Sequence, residues 1–340
     1  MGLLYDLSTK YKTLSIVGMS KNAGKTTALN YLIEEADDEG LLLGITSTGR
    51  DGETSDLVTG TEKPKVFLYE DTIVSVPTQL FEFAEGGLEI LEKTGIRTPI
   101  GELMLCRVAD SGYVQIAGPV ATVDSKRMCQ RMMELGTELI LIDGAIDRKS
   151  IASPETSDAV ILSSGAVLSR NMQKMVAETA HVVGLYNLPE LEECEARDLI
   201  QEARKEKERV MMVDRDGSLR VLDLATGLGA STRIDEAITE ETEFVYVPGA
   251  FTSSVISGIQ KPKLKQVRFV LKDPTRIFFG SAEWKQWGKR GLAVSVLKNI
   301  VIAAVTVNPY SPSGYSFEHK ALRDTMQEAL PDIPVIDVRL

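Results

Sequence analysis

The sequence predicts an α/β protein, a mostly parallel sheet covered by helices with a second, smaller α/β domain after it. Three observations carry this expectation. Runs of consecutive apolar, often β-branched residues recur along the chain, as strands buried on both faces of a parallel sheet do. Helix-patterned stretches separate many of those runs, which parallel neighbours require. The first run also breaks into Gly18-Met19-Ser20-Lys21-Asn22-Ala23-Gly24-Lys25-Thr26-Thr27 before a helix pattern begins. A plain reversal of direction does not need that set of glycines, lysine and hydroxyls.

Taken in order, LSIVG (14–18) is the first strand and KTTALNYLIEEA the helix after it. LLLGITS (41–47) is the second strand. LMLCRV (103–108) and YVQIAG (113–118) precede the helix-like DSKRMCQRMMELG. LILIDG (139–144) and AVILSS (159–164) come next, then the helix-like SRNMQKMVAETA and a short strand, VVGLY (182–186). Residues 189–209 read as a highly charged helix with an apolar stripe of Ala196, Leu199, Ile200 and Ala203. Glu202 with Lys205, and Glu206 with Arg209, pair along its solvated face.

VMMVDRDGSLRVLD then reads as a hairpin turning at Asp216-Gly217. Asp214 and Asp216 resemble the start of a calcium loop, but no Glu stands at the required later position, so the turn explains them. The boundary falls between charged helix and hairpin, giving a phosphate-site domain over 1–206 and a partner-reading α/β domain over 207–340. Its strands are FVYVPG, VRFVLKD, LAVSVL, VIAAVTVNP and PVIDVRL, and its helices ITEE, SAEWKQWGKR and EHKALRDTMQEAL. Trp284 and Trp287, three apart, read as a packing or interface stripe.

Composition narrows the function. At 340 residues, 43% hydrophobic and 26% charged, the chain has material for one or two sizeable cores. A net charge of -11 argues against a general nucleic-acid binder, whose surface must neutralise phosphates. Cys106, Cys129 and Cys194 show no metal-ligand spacing and read as reduced, mostly buried thiols. With no signal-peptide pattern and no membrane-length apolar run, a cytoplasmic protein is expected. Only His181 and His319 are present, which leaves little scope for a histidine-based triad, and His181 reads as the first residue of a strand.

The Gly18–Thr27 stretch has the chemistry of a phosphate cradle. Counted from Gly18 it reads G-x5-G-K-T, one residue longer than the usual spacing, which would put Met19 at the first glycine. Gly18, Ser20, Asn22, Ala23 and Gly24 form the loop, and Gly24 lets backbone N–H groups approach phosphate oxygens. The helix opening at Lys25 adds unpaired N–H groups and its positive dipole end. Lys25 reaches the β- and γ-phosphates, the Thr26 hydroxyl ligates Mg2+, and Thr27 bonds an α-phosphate oxygen.

Such a loop needs a carboxylate across the site. Asp143, ending the LILI run, stands where it would hold Mg2+ through water, and Gly144 lets the chain turn away. Asp51 and Glu53, after the second strand, are candidates to orient attacking water or to join the Mg2+ shell, with Arg50 facing phosphate; a polar turn explains them equally well. Ser163, Ser164 and Gly165 form a similar lip, and Asn187 is a weaker candidate to read a base. The nucleotide is ATP or GTP.

GMSKNAGKT followed by LILIDG resembles the dethiobiotin synthetase and cobyric acid synthase group of P-loop proteins. That resemblance implies a Rossmann-like NTPase sheet and a homodimer with nucleotide near the interface. The chain departs from the group at TSTGRDGE, where a lysine is usual, and has no Cys/His pair for glutaminase chemistry. TSTGRDGE, EKPKV, VQIAGP, LIDGAIDRKS, ILSSGAVLS and VNPYSPSGY resemble, over nearly the whole chain, the accessory reactivase subunits of cobalamin-dependent lysine aminomutases. This second resemblance implies ATP-dependent release of damaged cobalamin, with a MutS-like ATPase and the aminomutase as partners. The residues alone leave three readings open: a remodelling ATPase, an ATP-dependent ligase or small-molecule kinase, and a fold retaining the loop as a relic.

Overall fold

In a computed structural model of the protein, the apolar runs near 14–18, 43–47, 139–143 and 159–165 become strands buried along nearly their whole length. The structure describes residues 2–48, 65–144, 157–224 and 230–338. In chain order the early strands are β1 (Thr13–Gly18), β2 (Leu43–Ser47), β3 (Val66–Leu68), β4 (Ile73–Pro77) and β5 (Leu88–Thr98). Next come β6 (Gly101–Val108), β7 (Gly112–Val114), β8 (Leu139–Asp143) and β9 (Ala159–Gly165). After them run β10 (Val210–Asp214), β11 (Leu219–Leu222), β12 (Thr242–Val247), β13 (Arg268–Leu271), β14 (Ala293–Val296), β15 (Ile302–Asn308) and β16 (Val335–Asp337).

The large sheet has the order β16–β15–β9–β1–β8–β2–β4–β6–β5. Its pairings from β16 through to β4 are parallel, whereas β4 with β6 and β6 with β5 are antiparallel. The expected mostly parallel α/β architecture is therefore present, with an antiparallel edge. That edge escaped the sequence reading because β5 is mostly solvated and carries none of the continuous apolar signal. Helix Lys25–Asp38 buries Ala28, Leu29, Leu32, Ile33 and Ala36 in the core of this sheet, an i, i+1, i+4, i+5, i+8 stripe on one face.

The domain boundary differs from the expected 206/207. The chain divides into Met1–Val176 with Ile302–Leu340 as one unit and Ala177–Val301 as the other. VIAAVTVNP and PVIDVRL do not belong to the second domain, because β15 pairs with β9 and β16 with β15 in the large sheet. VVGLY is not a strand either. It is the last part of helix Met172–Tyr186, a short apolar run whose periodicity does not separate helix from strand. YVQIAG forms only the short β7, paired with β3, and the helix expected at ITEE lies earlier, at Ser231–Ala237.

Unit 177–301 holds a five-stranded sheet, β11–β10–β12–β13–β14. The expected hairpin is β10–β11, with Gly217 at φ 81° in its turn. The charged helix runs over Glu195–Glu206, burying Ala196 and Ile200, and Lys205 pairs with Glu202 at 2.6 Å as expected. His181 is helical, with Nε2 3.0 Å from the Phe279 carbonyl. The packing reading of the tryptophans holds: Trp287 Nε1 donates to Ser253 Oγ at 2.9 Å, and Trp284 packs on Phe279. Cys106 and Cys129 are buried, which pushes their thiols up to about 11 and about 12, while Cys194 is exposed.

The β10–β11 corner is held by Asp214, which accepts from Arg220 Nε at 2.8 Å and Nη2 at 2.7 Å, and from Thr242 Oγ1 at 3.0 Å. The Arg220 hydrogen bonds, helped by Thr242, keep the Asp214 carboxyl below the usual carboxylate range. Its stabilisation is therefore full above the unfolded value of about 4 and is lost as pH falls through the lower folded value. Asp214→Asn is expected to destabilise the protein by about 2 kcal/mol at neutral pH. Urea denaturation followed against pH should show the gap to wild type closing in acid.

Candidate functional site

The C-terminal ends of β1, β8, β2 and β9 converge on one lip of the large sheet, where open parallel sheets bind ligands. Register fixes what meets there. Ile16 of β1 and Ser47 of β2 both lie opposite Asp143 of β8, so all three side chains share one face of the sheet. Backbone bonds lock the ends: Gly144 N–H donates to Ile16 O at 3.0 Å, and Thr48 N–H to Asp143 O at 3.1 Å.

Gly18 ends β1, and the loop begins with Met19 N–H donating to Ser163 O of β9 at 2.9 Å. Ala23 N–H turns back to Ser20 O at 3.2 Å, and Ala23 itself is buried. Asn22 and Gly24 take left-handed conformations, φ 65° and 100°. Gly24 is the N-cap of helix Lys25–Asp38 and has no side chain to cap it, so first-turn N–H groups stay available at the positive helix end.

Lys25 leaves that first turn and donates to Asp143 Oδ1, a contact that joins two residues 118 positions apart. The pair is shielded, with side chains 13% and 25% exposed. Thr26 is exposed and Thr27 half-buried on the same turn. The loop and the carboxylate expected to work together are thus brought together. Arg50, Asp51 and Glu53 lie outside the described residues. Asn187 belongs to unit 177–301, not to the unit carrying this lip. Among the described residues no three His, Cys, Asp or Glu side chains gather as metal ligands.

Two residues at the lip were not singled out from sequence. Ser47 is 6% exposed, and its hydroxyl has no hydrogen-bond partner among the described residues. Neighbouring strands lie about 4.8 Å apart, so Ser47 and Asp143, opposite each other in register, project from the same face of the sheet. An exposed Thr26, a shielded Asp143 and a hydroxyl in want of a partner suit a hard, water-carrying cation such as Mg2+. Asn308, ending β15, presses on the loop: a Cβ built on Gly24 would lie 2.8 Å from Asn308 Cβ. Only the place of these residues in the sheet reveals them.

Compared with models of known protein families and with curated proteins, the chain matches none. The site therefore rests on its own geometry. Gly24→Ala sets a Cβ at φ 100° against Asn308 and is expected to cost more than about 1 kcal/mol, measurable by urea denaturation. An unchanged midpoint would show that the loop does not hold this conformation in solution.

Proposed function

We propose that this lip binds the triphosphate of a magnesium–nucleoside triphosphate and that the chain is a P-loop ATPase. The observation that carries the reading is the Lys25–Asp143 contact at the ends of adjacent parallel strands, beside an uncapped helix N-terminus. An ammonium and a carboxylate so placed can exchange partners when a nucleotide arrives. Lys25 would then turn to a phosphate oxygen, and Asp143 would hold the metal through water. The first-turn N–H groups and the backbone around Gly24 would bind phosphate oxygens, Thr26 would offer its hydroxyl to the metal, and Ser47 would hydrogen-bond to its bound water. Bound Mg2+ would neutralise charge on the β- and γ-phosphates.

We extend the reading, on the resemblance of TSTGRDGE, LIDGAIDRKS and VNPYSPSGY, to an accessory factor that spends ATP to reactivate a cobalamin-dependent aminomutase. Hydrolysis stimulated by an aminomutase or a MutS-like partner would support that role; a metabolite that accelerates ADP release about tenfold would support a ligase or kinase instead.

Variants separate the roles. Lys25→Ala is expected to weaken Mg·ATP binding at least about tenfold, roughly 1.4 kcal/mol. Asp143→Asn is expected to retain metal-free nucleotide binding and lose the Mg2+-dependent part, and Ser47→Ala to lose a smaller share of it. Because Ser47→Ala also removes an orphaned buried hydroxyl, the nucleotide-free protein should be no less stable. Titration with a fluorescent ATP analogue, with and without EDTA, checks all three; wild-type behaviour in both Lys25→Ala and Asp143→Asn removes the assignment.

A further inference from the structure

We propose that residues 308–337 are a positioning arm for the phosphate loop: Asn308 holds the left-handed turn Asn22–Gly24, and a hydrogen-bonded chain from Asp337 holds Asn308. This rests on the nucleotide reading for its purpose, and on separate observations for its geometry. Asn22 at φ 65° lies in the left-handed region, which asparagine enters more readily than other side chains and which a neighbouring hydrogen bond then holds. Its carbonyl accepts from Asn308 Nδ2 at 3.4 Å, while Asn308 Oδ1 accepts from the Tyr310 N–H at 3.2 Å. The bare Cα of Gly24 is what admits Asn308 so close, and Asn308 pairs with Gly165 across β9, where a Cβ would come within 3.0 Å of Ala23 O. One asparagine therefore meets the loop at two residues, Asn22 and Gly24.

The chain continues away from the loop. The Tyr310 hydroxyl lies 2.9 Å from His319 Nε2, with the rings edge to face, and His319 Nδ1 lies 2.7 Å from Asp337 Oδ2. The Asp337 side chain is fully buried and His319 is 23% exposed. The Asp337 carboxylate accepts a hydrogen bond from His319 Nδ1–H, and Nε2 shares a hydrogen bond with the Tyr310 hydroxyl, so both rings are fixed. The segment just after Tyr310 is tied as well, since the Tyr315 hydroxyl donates to Ala166 O and Arg170 lies over the Tyr315 ring at 5.3 Å. Asn308 and Tyr310 are thus positioning residues, and β15 and β16, reached only after the 177–301 excursion, complete the cradle begun at Gly18.

The test uses the full chain and the variants Asn308→Ala, Tyr310→Phe and both together. Hydrogen exchange of the hydrogen-bonded amides of the loop, Met19, Ala23 and Ala28, in nucleotide-free protein is expected to accelerate about tenfold in Asn308→Ala. Mg·ATP affinity is expected to fall by a similar factor, with smaller changes of the same sign in Tyr310→Phe. The double variant should be no worse than Asn308→Ala alone, because Tyr310 acts through Asn308. Asn308→Asp keeps the acceptor for Tyr310 and loses the donor to Asn22, so it gives the same exchange result should alanine fail to fold. Wild-type exchange in Asn308→Ala, or fully additive effects in the double variant, overturns the proposal. Absence of Mg·ATP binding by wild type overturns the nucleotide reading instead, and exchange still decides whether Asn308 holds the loop.

Discussion

The parallel register of β1 between β8 and β9 governs everything at the lip. With Ile16 opposite Asp143 on one side and Gly18 opposite Ser163 on the other, the loop after β1 must leave the sheet between two fixed strand ends. From there the helix starting at Lys25 can only return over the sheet, which sets its lysine against Asp143. Burial of β1, β8 and β9 supplies the rigidity: a slip of one residue would turn every core side chain of β1 to the opposite face.

The same economy explains why the C-terminal strands matter. β15 and β16 extend the sheet beyond β9, and the last residue of β15 reaches the loop that follows β1. Residues more than 280 positions apart thereby share one structural task. The excursion 177–301 has its own sheet and core, built around Ile200, Met211, Val213, Tyr246 and Val270, and its tryptophan helix is satisfied by Ser253 within the same unit.

Much of this was legible in the sequence, for physical reasons that also mark where legibility ends. A strand buried on both faces must be continuously apolar, so LSIVG, LILID and AVILSS announced themselves, as did the Gly24-Lys25-Thr26 turn and the carboxylate of Asp143. VVGLY did not, because five apolar residues fit a buried helix end as well as a strand. The boundary at 206/207 failed because apolar runs say that a strand exists, not which sheet it joins. Ser47 and Asn308 carried no signal, since an orphaned hydroxyl and a close approach to Gly24 exist only once β2, β8 and β15 are aligned.

Isothermal titration of Mg·ATP, and of Mg·GTP, into the 340-residue chain asks whether a triphosphate settles at the lip. Saturable heat is expected for at least one nucleotide at one site per chain, abolished when Lys25 is replaced by alanine. No heat from either nucleotide, or binding indifferent to Lys25, would take the triphosphate away from this lip.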